Sequence, residues 1–173
     1  MSSLIKEIRA DANYVKFKKV YTSAVSHLDI DKSIMEALSL HTGRTSRMLV
    51  GNDRYSAKKL IDASYDDLRA RARLVEIRVT HDKRLSFIVE ATGNIAKYIR
   101  TEYADDLREF GTVADRNAFV DRVLRVPRET IEEISQLISM LDTLIKDIDQ
   151  ANFQLKGVIE CLKLLTEKKG ATL

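Results

Sequence analysis

Through the last quarter of the chain, apolar residues recur at alternating steps of three and four. Ile131, Ile134, Ile138, Leu141, Ile145, Ile148, Leu155, Ile159 and Leu162 share this register with a single polar member, Asn152. Such spacing lines side chains along one seam of a helix, and the seam demands a partner helix. A second row, Leu137, Leu144, Ala151, Val158 and Leu165, runs beside it. Three apolar positions per heptad make a wider face than a two-stranded coil uses and suit a bundle or a larger oligomer. The pattern predicts a helix over 128–168, roughly 60 Å long, with the ten seam residues as the oligomerisation surface. Asn152 either sets the register of that assembly or marks a bend in the helix.

Upstream, the same reading gives helices throughout. Residues 3–22 form a first helix through Leu4, Ile8, Val15, Phe17, Val20 and Tyr21. A short helix covers 31–41, capped by Asp29 or Asp31, with Ile34, Met35 and Leu38 on its apolar face. Residues 42–54 read as a loop between Gly43 and Gly51, with a turn at Asn52-Asp53. A long helix spans 56–110. Leu60, Ile61, Tyr65, Leu68, Ala72, Val75 and Val79 form its first apolar phase, and Leu85, Ile88, Ile95, Ile99 and Tyr103 its second. The offset between the phases places a bend or break near Thr80-His81-Asp82. Gly111 suits a left-handed helix end, and Thr112 with Asp115 resembles a capping box. A helix over 113–125 then runs to Pro127, which serves as an early residue of the next. The expected class is all-α. The expected domains are a helical extension and loop at 1–55 and an oligomerisation and DNA-binding domain at 56–173.

Composition narrows this picture. The 173 residues contain one Pro and six Gly, too few turn formers for a β-rich chain. The net charge is +3, unevenly spread. Residues 44–84 hold eleven Lys/Arg against six Asp/Glu, and residues 85–173 hold twelve against fifteen. A basic middle and an acidic end fit a polyanion-binding part joined to an assembly part, or simply helix surfaces that vary. Arg69, Arg73 and Arg78 belong to a dense basic run, and arginine's planar fork matches phosphate. Their alternative partners are Asp62, Asp66, Asp67 and Glu76 at helical spacing. A second cluster, from Lys97 through Tyr98 and Arg100 to Tyr103, mixes cations with rings that stack on bases, or else forms an ordinary core edge. The three arginines of the 42–54 loop, Arg44, Arg47 and Arg54, either meet phosphate or decorate a solvated linker.

No catalytic constellation is found. Adjacent carboxylates such as Asp66-Asp67 point about 100° apart on a helix and share no site. His27, His41 and His81 are scattered, Cys161 is the only cysteine, and no metal or cofactor pattern occurs. The expectation is a non-enzymatic cytoplasmic protein without cofactor or membrane segment.

The stretch from Leu141 through Asn152-Phe153-Gln154-Leu155-Lys156 to Leu165 resembles the C-terminal helical segment of the UvsY-type recombination mediators of large tailed phages. Upstream, Arg100-Thr101-Glu102-Tyr103 resembles an Arg-x-acidic-Tyr element of that family. The resemblance covers about residues 79–169. It implies a ring-like homo-oligomer that binds single-stranded DNA, remodels single-strand-binding protein and loads a recombinase in the host cytoplasm. It also implies Arg100, with Lys97 beside it, as DNA contacts. The competing expectation is a phage structural or assembly adaptor that needs the seam and not the arginines.

Overall fold

Asp11 interrupts the first expected helix. In the computed structural model, which describes residues 2–52 and 56–170, α1 (Ser2–Ala10) stops there and α2 (Ala12–Val25) begins. Asp11 is extended and accepts the amide N–H of Asn13 at 2.7 Å and of Tyr14 at 3.3 Å, satisfying donors that a helix start leaves open. Then follow α3 (Ile30–Thr42), the one-turn α4 (Thr45–Met48), α5 (Ala57–Glu102), α6 (Ala104–Arg108), α7 (Val113–Val123) and α8 (Arg125–Gly170). No strand occurs among the described residues, and the protein is all-α. None of its helices is long and apolar enough to cross a membrane, among those described residues.

Several boundaries follow from local chemistry. Gly111 takes φ +42°, and Thr112 and Asp115 exchange the reciprocal hydrogen bonds of a capping box ahead of α7. Pro127 lies in the first turn of α8, where its missing N–H costs nothing. The break that was one of the two expectations near Thr80-His81-Asp82 does not occur, and α5 is one helix. Leu60, Ala63, Asp67, Ala70, Leu74, Ile77 and His81 are buried at alternating steps of three and four, and Ile88, Thr92, Ile95 and Ile99 follow at steps of four, three and four. Thr92 and Ile99 fall one place beyond the positions the first register gives, so the offset between the two expected phases is present inside an unbroken helix, carried partly by small and polar residues. The helix ends at Glu102 rather than near 110, with α6 after it.

The chain divides into two units, and not at residue 55 as expected. One unit is Met1–Ile30 with Thr80–Gln136, and the other is Asp31–Val79 with Leu137–Leu173. The two long helices each contribute a stretch to both units, so a single cut in the sequence cannot separate them. In the first unit, Ile8, Tyr14 and Phe17 meet Ile95 and Ile99 of α5 together with Tyr103, Leu107, Phe119, Val120 and Val123. Phe110 and Phe119 pack with ring centres 4.6 Å apart, and the Tyr21 hydroxyl lies 2.7 Å from that of Thr130.

In the second unit, α5 and α8 run antiparallel. The pairs Arg78–Asp142, Arg71–Asp149 and Ser64–Asn152 fix the direction, because one number falls as the other rises. This corrects the oligomerisation reading of the seam. Ile134, Leu141, Ile145, Ile148 and Asn152 are buried inside the single chain, and Ile131 and Ile138 are half-buried. The partner that this stretch needs is supplied by the chain's own helices. Leu155, Ile159 and Leu162 pack against Leu49, Leu60 and Ala63. Only the outer side of the last turns stays open, where Phe153 is 79% exposed and Val158, Leu164 and Leu165 are also exposed.

Candidate nucleic-acid and assembly surfaces

The basic residues of α5 fall into both units, with different surroundings. In the second unit, Arg73 reaches Glu36 on α3 at 2.6 Å and Glu76 at 2.7 Å. The hydrogen bond to Glu36, helped by Glu76, raises its pKa further above the ordinary arginine value. Arg78 meets Asp142 at 2.6 Å, and Arg71 meets Asp149 at 2.5 Å. Arg69 is the loosest, with its side chain 85% exposed and 3.6 Å from Asp66. Arg73 and Arg78, expected to face phosphate, thus hold acids across helices instead. A polyanion would have to displace those acids, which weakens the claim of these two residues to a DNA site.

Lys97 and Arg100, in the first unit, are exposed on α5 and make no ion pair among the described residues. The nearby rings are not a stacking platform. Tyr103 is buried and Tyr98 half-buried, and both hydroxyls donate to Asp11 Oδ2, at 3.4 and 3.1 Å. Burial, with the Asp11 charge behind it, pushes the Tyr103 pKa up to about 12. Burial also opposes the charge on Asp11. The Asn13 amide, the Tyr98 hydroxyl, the Tyr14 amide and the Tyr103 hydroxyl outweigh it and hold that carboxyl below its ordinary pKa. The aromatic cluster is a core edge, one of the two alternatives in the sequence.

Of the arginines of the 42–54 segment, Arg44 turns inward and Arg47 stays exposed. Arg44 is 4% exposed, and its Nη1 lies 3.5 Å from Asp67, which is completely buried. Ser46 donates its hydroxyl to both oxygens of Asp67, at 2.8 and 2.7 Å. Three nitrogen-bearing side chains then converge on one oxygen of Asp147. Nε2 of His41 lies 2.6 Å from Oδ2, Nη2 of Arg44 2.7 Å and Nη2 of Arg47 3.5 Å. The hydrogen bond from His41 works against burial and, with Arg44, holds the Asp147 carboxyl below its ordinary pKa. Arg54 lies outside the described residues. Beside this network is a cavity of about 350 Å³, with Arg44, Arg47 and Asp147 at one end and Leu49, Leu60, Leu155 and Val158 along its walls. Its charges are balanced internally, and the network clamps α3, α4, α5 and α8 together. The sequence offered no signal for it, since Asp67 and Asp147 lie twenty or more residues from their partners.

No cluster of three metal-ligating side chains occurs among the described residues. Cys161 is exposed, and burial pushes the His81 pKa down. The remaining surface feature is apolar. Ile61, Tyr65, Leu68, Ala72 and Val79 are exposed along α5 and Val75 is half-buried, at alternating steps of four and three. These six positions were expected to face the core. They lie instead beside the stripe that does, and they form an open heptad face on the second unit. No protein-family model, curated protein or solved structure matches the chain.

Proposed function

We propose that the protein is a non-enzymatic recombination mediator. As a homo-oligomer in the cytoplasm, it binds single-stranded DNA and promotes recombinase loading onto strands covered by single-strand-binding protein. The observation that carries this reading is the pair Lys97 and Arg100, exposed on one helix and uncompensated by acids. Arg100 also heads the Arg-x-acidic-Tyr element of the resemblance. A few cations per subunit suffice when many subunits engage one strand, because linked weak sites gain avidity. Titrating a labelled single strand at rising salt tests the reading. Salt-sensitive binding that weakens in Lys97→Ala/Arg100→Ala supports it. No binding at low salt removes it.

A second reading is an assembly adaptor without nucleic-acid binding. It is favoured by the engagement of Arg71, Arg73 and Arg78 with acids and by the open apolar face of α5. Under this reading the DNA titration stays flat while the protein still self-associates or docks a partner helix.

A further inference from the structure

The open face of α5 runs from Ile61 to Val79, about 27 Å of helix. Soluble monomers rarely leave a continuous apolar strip of this kind uncovered, and a heptad strip is shaped for another helix. Tyr65, at 63% exposure, is the most exposed of its large side chains.

We propose that this face pairs with the same face of a second copy, antiparallel, about a two-fold axis near residue 70. The proposal rests on the homo-oligomer of the reading above and names its surface, in place of the buried seam of α8. Two properties of the strip select a second copy as its occupant. The first is shape. With the axis near 70, Ile61 lies opposite Val79, Tyr65 opposite Val75 and Leu68 opposite Ala72, each twice. Every layer sets a larger side chain against a smaller one, as interdigitating cores require.

The second property is charge. The open flank of the strip carries Asp62, Arg69 and Glu76; within one chain Arg69 lies 3.6 Å from Asp66 and Glu76 meets Arg73 at 2.7 Å, so a pair across copies is made in addition to these contacts or in exchange for them. Helical side chains lean toward the N-terminus of their own helix. In the antiparallel pair, Arg69 and Glu76 of the second copy therefore lean toward each other, and the symmetric pair does the same. The two copies of Arg69 lean apart, as do Asp62 and Glu76 of the other copy. The opposite flank brings no net charge, because Arg71 and Arg78 are already bonded to Asp149 and Asp142.

The test uses the full chain with Cys161→Ser, so that introduced cysteines are the only ones. Leu68→Cys protein and Ala72→Cys protein are oxidised alone and as a mixture. A crosslinked dimer that forms mainly in the mixture supports the pairing. A dimer formed equally well by Ala72→Cys alone indicates parallel helices and overturns it. Sedimentation provides the second arm. Wild type should show twice the mass of one chain or a multiple of it. Arg69→Glu should lower that mass with unchanged helicity, and Arg69→Glu/Glu76→Arg should restore it. A wild-type monomer at all concentrations overturns the proposal, including the case where the face docks a foreign helix. DNA titration of the dissociated Arg69→Glu protein separates this result from the mediator reading. Binding that survives there leaves the mediator standing, and its absence in wild type removes the mediator alone.

Discussion

At the scale of residues, two carboxylates organise the two units. Asp11 starts α2 through its Oδ1 and receives Tyr98 and Tyr103 through its Oδ2. Asp11→Ala removes the cap, worth about 1 kcal/mol, and leaves two tyrosine hydroxyls without their acceptor, each worth about 1 kcal/mol more. Asp11→Asn keeps the cap and should cost less, as measured by urea unfolding. The pH dependence follows from the direction of the shifts. The folded Asp11 and Asp147 carboxyls titrate below their ordinary values, so their contribution is present at neutral pH and is lost as pH falls through that lowered range. Tyr103 acts on the other limb. Its folded pKa of about 12 exceeds the ordinary 10.0, so its contribution is intact below 10 and lost as pH rises toward 12. Tyr103→Phe should remove the part of the alkaline stability loss that falls in that window. In the second unit, Arg44→Ala strands the buried Asp67 and should cost about 3–5 kcal/mol, whereas Arg44→Met/Asp67→Leu should recover much of it.

At the scale of elements, the helices were legible and their orientation was not. The capping box at Thr112, the left-handed Gly111 and the start of α8 around Pro127 are written in short-range chemistry, and the structure contains them. The face of α5 is set by burial, and burial does not follow the larger apolar residues there. Ala63, Asp67, Ala70 and His81 lie inward while Ile61, Tyr65 and Leu68 lie outward. Small side chains let α8 and α3 approach, and Asp67 is buried because Arg44 and Ser46 receive it. No periodicity count registers such a partner. The α8 seam was legible residue by residue, yet the helix it meets was not, since a seam specifies a partner and not whose it is. Exchanging leucines measures the difference. In dilute solution, where copies separate, Leu74→Ala should cost about 2–5 kcal/mol, and Leu68→Ala well under 1 kcal/mol. The seam gives a second check. Ile138→Asp/Ile145→Asp should unfold the second unit, seen as lost helicity. A change of mass with helicity intact would restore the intermolecular reading of that seam.

At the scale of the whole molecule, gross charge and usable charge differ. The second unit carries fifteen Lys/Arg against twelve Asp/Glu, a net of +3, and the first carries fourteen of each, a net of zero. Gross charge alone would place DNA on the second unit, along Arg69, Arg73 and Arg78. The pairing within that unit points the other way, because releasing Arg73 from two carboxylates offsets much of what a phosphate contact returns. Lys97 and Arg100 displace only water and small ions. Each phosphate contact to a single strand contributes about 0.7 to the slope of log affinity against log salt. Lys97→Ala/Arg100→Ala should therefore flatten the slope by about 1.4 per engaged subunit, while Arg73→Ala/Arg78→Ala should change it by well under that amount. Fluorescence anisotropy over a salt series, with helicity checked for each variant, reads both numbers. A larger loss in the Arg73→Ala/Arg78→Ala protein would move the strand to the second unit, against the acids that now hold those arginines.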